Sequence, residues 1–143
     1  SATINAGGQA QLPIGAQVSV YYYKQGDGTK SAALFDDATA NPSTGKAKIR
    51  FIHLNNFLIT GTSTSTPISV TVEGSASALI PSLSFGGVSN YFEVDAGAKF
   101  NFAATGVVAG PAYDGGVAAN KIYTIWIDGT SAANLTGHIV AQN

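Results

Sequence analysis

Lys121-Ile-Tyr-Thr-Ile-Trp-Ile127 is an unbroken run of β-branched and aromatic residues behind a single lysine. Side chains alternate across a strand, so Ile122, Thr124 and Trp126 share one face and Tyr123, Ile125 and Ile127 the other. Both faces are rich in apolar groups. That predicts a strand at the centre of a sheet, or one covered on its second side. Asp128-Gly129 follows at once and ends the run with a turn signal.

Working outward, the same composition recurs. Gln17-Val-Ser-Val-Tyr-Tyr-Tyr23, Lys48-Ile-Arg-Phe-Ile-His-Leu54 and Ile68-Ser-Val-Thr-Val72 read as strands. So do Tyr91-Phe-Glu-Val94 and Lys99-Phe-Asn-Phe102, with shorter candidates at 3–4, 9–12, 32–35, 79–83 and 137–141. Turn signals separate them: Gly7-Gly8, Gly26-Asp27-Gly28, Asp95-Ala-Gly97 and Asp114-Gly-Gly116. No long window carries a 3.6-residue apolar period with caps, so no substantial helix is expected. Short, evenly punctuated strands predict an all-β fold, an antiparallel β-sandwich of immunoglobulin-like or Greek-key type.

The chain also echoes itself. Gln17-Val-Ser-Val-Tyr-Tyr-Tyr-Lys-Gln25 aligns without gaps on Lys121-Ile-Tyr-Thr-Ile-Trp-Ile-Asp-Gly129, and each is followed by a Gly/Thr/Ser loop and a short strand. Val18, Val20 and Tyr22 face away from Ser19, Tyr21 and Tyr23. Both sets again look apolar, so the earlier copy should likewise be central or covered on its second face.

Composition restricts function. Of 143 residues 45% are hydrophobic, but only 10% are charged, with a net charge of −1. A typical domain has about 25% charged residues. Small neutral polar side chains replace them, a surface suited to lying against other protein. Nucleic-acid binding needs clustered cations. The only cluster, Lys46, Lys48 and Arg50, alternates along a strand and reads as a solvated face. Cys and Met are both absent, so disulfides and thiolate metal sites are ruled out. No apolar run reaches the roughly 20 residues of a membrane-spanning helix. With no signal peptide ahead of Ser1, the expectation is a mature exported chain.

No residue pattern calls for catalysis. His53 and His138 both lie in predicted strands, and neither a Gly-x-Ser-x-Gly elbow nor a His-Glu-x-x-His motif occurs. Asp36 and Asp37 diverge if extended. Glu93 and Asp95 share a parity, but Asp95 belongs to a turn. No Asp-x-Asp-x-Asp-Gly calcium loop is present. No cofactor, catalytic residue or metal site is therefore expected. Asn134-Leu-Thr136 has the form of a glycosylation sequon.

Residues 46–143 carry a set of motifs in order: Lys46-Ala-Lys-Ile-Arg-Phe-Ile-His-Leu-Asn55, Ile68-Ser-Val-Thr-Val-Glu-Gly74, Leu83-Ser-Phe-Gly-Gly-Val-Ser-Asn-Tyr91 and Asp95-Ala-Gly97. This stretch resembles a sandwich repeat of the family known as domain of unknown function 4397. The Phe-Gly-Val-Ser-Tyr spacing is the most specific part. The family has a short Ser-Pro-Asp-type turn after the His, where this chain has Asn55-Asn-Phe-Leu58 and a Thr/Ser stretch over 60–66. Residues 1–40 resemble only the C-terminal strands of such a repeat, with Asn41-Pro-Ser-Thr-Gly45 as linker. The resemblance implies export to the bacterial surface and assigns no activity.

A half repeat leaves strands that must complete a neighbouring sheet, receive a strand from another chain, or stay an exposed edge. Residues 3–23 carry no charge, although Pro13 can blunt one strand. The expected function is a non-catalytic, self-associating extracellular subunit, forming a fibre through β-strand addition. Ile4, Leu12, Ile14, Val18, Val20, Tyr21 and Tyr23 are the expected assembly residues. Its partners would be copies of itself or neighbouring surface proteins. The alternative is a glycan- or protein-binding adhesin module, with Tyr91, Tyr113 and Trp126 as an aromatic platform.

Overall fold

The computed structural model describes residues 3–4, 14–25, 28–60, 64–131 and 133–142. In chain order the strands are β1 (Thr3–Ile4), β2 (Val18–Lys24), β3 (Lys30–Asp36), β4 (Lys46–His53), β5 (Ile59–Thr60) and β6 (Thr64–Ser65). There follow β7 (Ile68–Val72), β8 (Ile80–Leu83), β9 (Phe92–Asp95), β10 (Phe100–Ala103), β11 (Ile122–Asp128) and β12 (Thr136–Ala141). A 3₁₀ turn at Asn56–Leu58 is the one helical element among the described residues. The fold is an all-β sandwich. Predicted candidates at 9–12 and turns at 7–8 and 26–27 lie outside the described residues.

Two compact units divide the chain, Ser1–Ala40 and Asn41–Asn143. In the second, a four-stranded sheet of order β12-β11-β4-β9 packs against a three-stranded sheet of order β10-β7-β8. Ala47, Ile49 and Phe51 of β4, with Tyr123, Ile125 and Ile127 of β11, meet Ile68, Val70, Ile80, Leu83 and Phe100. The Phe51 and Phe100 rings touch edge to face at 5.1 Å. As the opening run predicts, β11 lies at the interior of its sheet, antiparallel to β12 and parallel to β4. Five of its seven residues are buried, Thr124 included. Burying this apolar area supplies the main driving force, roughly 25 cal/mol per Å².

The outer face of this sheet corrects one expectation. Lys46 and Lys48 are half-exposed, but Arg50 is only 3% exposed. Its Nε donates to Thr124 Oγ1 at 2.9 Å, and its guanidinium lies 5.0 Å from the centre of the Tyr91 ring. Alternation identified the face but not how deep it lies. The lysines sit opposite the acids of the short strand β9, Lys46 opposite Asp95 and Lys48 opposite Glu93.

The Ser43–Gly45 stretch is tied to this second unit. Ser43 donates to Glu93 Oε1 from its amide at 2.9 Å, and the Gly45 amide to Asn120 Oδ1 at 3.3 Å. Gly45, at φ 81°, takes the left-handed turn that glycine adopts without a Cβ penalty.

In the first unit the sheet order is β1-β3-β2. Its central strand β3 is buried from Ser31 to Phe35. Here the sequence expectation fails again: among the described residues β2 has a neighbouring strand on one side only, and Val20 and Tyr22 on one face are exposed. The echo nevertheless has structural content. Under the gapless alignment β2 and β11 begin and end at equivalent positions, and each is antiparallel to the strand that follows it. They differ in their other flank, where β11 has β4.

Candidate functional site

The edge of β2 is the candidate site, and its polarity follows from the bonds that bracket it. The Asp37 amide donates to the Gln17 carbonyl at 2.8 Å, and the Gln25 amide to the Thr29 carbonyl at 2.8 Å. Both pairs belong to the β2–β3 register, in which Tyr21 faces Ala33. In an antiparallel ladder, bonded and non-bonded pairs alternate. The odd-numbered residues of β2 therefore bond to β3, and the amides and carbonyls of Val18, Val20 and Tyr22 point outward. No partner for them exists among the described residues.

Side chains follow the same parity. Val18 is half-buried, Val20 is 40% exposed and Tyr22 is 84% exposed, all on one face. Tyr21 and Tyr23, half-buried, are on the opposite face, where the Tyr21 ring lies 6.0 Å from Phe35. Lys24 is the strand's only charge.

Of the expected assembly residues, Val18 and Val20 lie together on this edge. Ile4 is in β1, opposite Ala32 across the ladder. Ile14 is fully exposed in the turn before β2, and Leu12 lies outside the described residues. Tyr22 is the strand's most exposed large side chain and was missed as a site residue. The alternation Val18, Val20, Tyr22 is its signal; the expectation that β2 is central or covered on its second face hid it.

Several other edges carry features that oppose pairing. β8 carries Pro81, which cannot donate to a ladder. β9 carries Glu93 and Asp95, and charged side chains deter edge pairing. Phe100 of β10 is bridged by Tyr113. On β12, a backbone hydrogen bond from Ile139 reaches the Tyr113 phenol. β1 is two residues long.

The three residues of the aromatic alternative do not converge. Tyr113 packs on the inner cluster, 5.8 Å from Phe102, and burial pushes its phenol up in pKa. Tyr91 lies on the outer side, with Arg50 over its ring and its hydroxyl bonded to Gln142 Oε1 at 2.6 Å. Trp126 is stacked on His138 at 5.1 Å.

Both histidines are committed to local structure. His53 is fully buried. Its Nδ1 accepts from the Asn55 amide at 3.2 Å and its Nε2 lies 3.1 Å from the Thr66 carbonyl, so Nε2 carries the proton. Burial holds its pKa below the ordinary value. His138 Nε2 bonds Asp128 Oδ1 at 2.8 Å. Among the described residues neither imidazole is hydrogen-bonded to a hydroxyl nucleophile, and no three His, Asp or Glu side chains cluster as a metal site. No helix there is long and apolar enough to cross a membrane.

The carboxylates are similarly engaged. Asp36 caps the Ala38 amide at 2.9 Å, and Asp37 accepts from Ser19 Oγ at 2.6 Å. Bonds from Ser43 hold Glu93 below the usual carboxylate range. The Gly116 amide and Lys99 do the same for Asp114.

No protein-family model matches the chain, and no curated protein matches it either.

Proposed function

We propose that this protein is an exported structural subunit that joins copies of itself through β-strand addition and so builds a surface fibre. One observation carries the reading: β2 offers three alternate outward residues, Val18, Val20 and Tyr22, whose main-chain groups have no partner among the described residues and of which Val20 and Tyr22 expose their side chains. Natural sheets block such an edge with charge, Pro or a covering element, and β8, β9 and β10 carry such devices. The low overall charge supports the reading, because little electrostatic repulsion keeps copies apart. Export rests on the motifs over residues 46–143 that resemble the 4397 repeat.

The test is the mass of the native protein in solution across a concentration series, by light scattering, with negative-stain microscopy of the largest species. Chains or SDS-resistant ladders are expected, and Val20→Lys, which places a charge on the edge, should abolish them. A monodisperse monomer of 14.5 kDa at every concentration would falsify the proposal.

A further inference from the structure

Self-association leaves open which surfaces meet, and the inference here rests on that reading. We infer that the first contact is between β2 of one copy and β2 of a second, antiparallel, with Val20 on the two-fold axis.

The register follows from parity and charge. Outward groups belong to residues 18, 20 and 22, so an antiparallel partner must place these opposite one another. Centring on Val20 pairs Val18 with Tyr22 of the second copy, Val20 with its equivalent, and Tyr22 with Val18. All three pairs are of the bonded kind, giving about six main-chain hydrogen bonds. The two sheets become one, of order β1-β3-β2-β2-β3-β1. Each Tyr22, 84% exposed in the single chain, then lies across Val18 and beside Val20 of its partner, a favourable aromatic–β-branched pairing.

Self-association makes a second copy the occupant, and charge is compatible with it, because the one charge of β2 is Lys24. Against itself in this register Lys24 faces Ala16, so the two lysines lie at opposite ends of the ladder and do not repel. Shifting the centre to Tyr22 sets Lys24 against Val20 and loses that separation. The contact is isologous and therefore closes on itself. The β2 contact thus supplies the pairing step of the proposed fibre and growth beyond the pair needs a second contact, so Val20→Lys should remove chains by removing the pairs they are built from.

The absence of cysteine makes a disulfide test clean. Val20→Cys should oxidise to a covalent dimer, since paired Cα atoms in this ladder sit about 5.5 Å apart. Tyr22→Cys alone should not, because the two equivalents are four residues out of register. An equimolar mixture of Val18→Cys and Tyr22→Cys should yield the mixed dimer. In parallel, exchange of the Val18, Val20 and Tyr22 amides should slow about tenfold or more as concentration carries the wild-type chain from monomer to pair.

Equal cross-linking of all three single variants would overturn the register. Oligomers in light scattering without a Val20→Cys dimer would overturn the β2 contact while leaving self-association standing. Slow exchange of these amides already in the monomer would mean that the chain covers its own edge, which also overturns it.

Discussion

The imidazole of His138 lies flat on the indole of Trp126, centroids 5.1 Å apart and planes 16° from parallel. The two residues are direct cross-strand partners on β12 and β11, and Asp128 holds the imidazole by its Nε2. His138→Ala should lower unfolding stability by about 1 kcal/mol, the loss expected for a half-exposed ring pair. His138→Phe should restore most of it. The chain has one tryptophan, so its emission reports this contact directly and should shift in the alanine variant.

His53 gives the fold a pH dependence with a definite sign. Its pKa in the folded state is lowered by burial, so the unfolded chain takes up the proton first. Stability is therefore full above the ordinary histidine value near 6.5 and falls as pH drops below it, by up to about 1.4 kcal/mol per pH unit. Urea titrations between about pH 8 and pH 5 should show this slope. His53→Leu should flatten it while costing about 1–3 kcal/mol, since the Asn55 amide and Thr66 carbonyl lose their buried partner.

Gly129 has no room for a methyl group. A Cβ there would collide with the Asn134 carbonyl and lie 2.6 Å from Asn55 Nδ2. Asn55 is fully buried and donates to that same carbonyl at 3.0 Å. Gly129→Ala should therefore lower stability by about 3 kcal/mol. Gly106→Ala, at a turn with open space around it but φ at 81°, should cost about 1 kcal/mol. Chemical denaturation of the two variants checks the ranking.

Arg50→Lys keeps the charge and removes the Nε donor to Thr124. A compact ammonium cannot reproduce the planar guanidinium over Tyr91. A loss of about 1–3 kcal/mol is expected, whereas Lys48→Arg on the same strand should be neutral within about 0.5 kcal/mol.

Much of the strand inventory was legible because alternation is a local signal. Ile68-Ser-Val-Thr-Val72 appears at its predicted bounds, and β11 is central as its two apolar faces required. The same pattern in residues 18–23 misled, because periodicity reports which faces are apolar and not whether a neighbour lies beside the strand. Arg50 was misread for a related reason. It shares parity with two lysines, but depth is set by Thr124 and Tyr91, which are remote in sequence. β5 and β6 went unnoticed in the Thr/Ser stretch, where no apolar alternation marks a two-residue ladder.

The parallel pairing of β4 with β11 also dictates an order of construction. Arg50 and Thr124 are 74 positions apart, and such distant pairings are slow to form. As the chain emerges from the ribosome, β4 is complete long before β11 exists. The hairpin β2–β3, by contrast, is available almost at once. A nascent chain therefore completes the β2–β3 hairpin while the strands that will enclose the larger core are still being made.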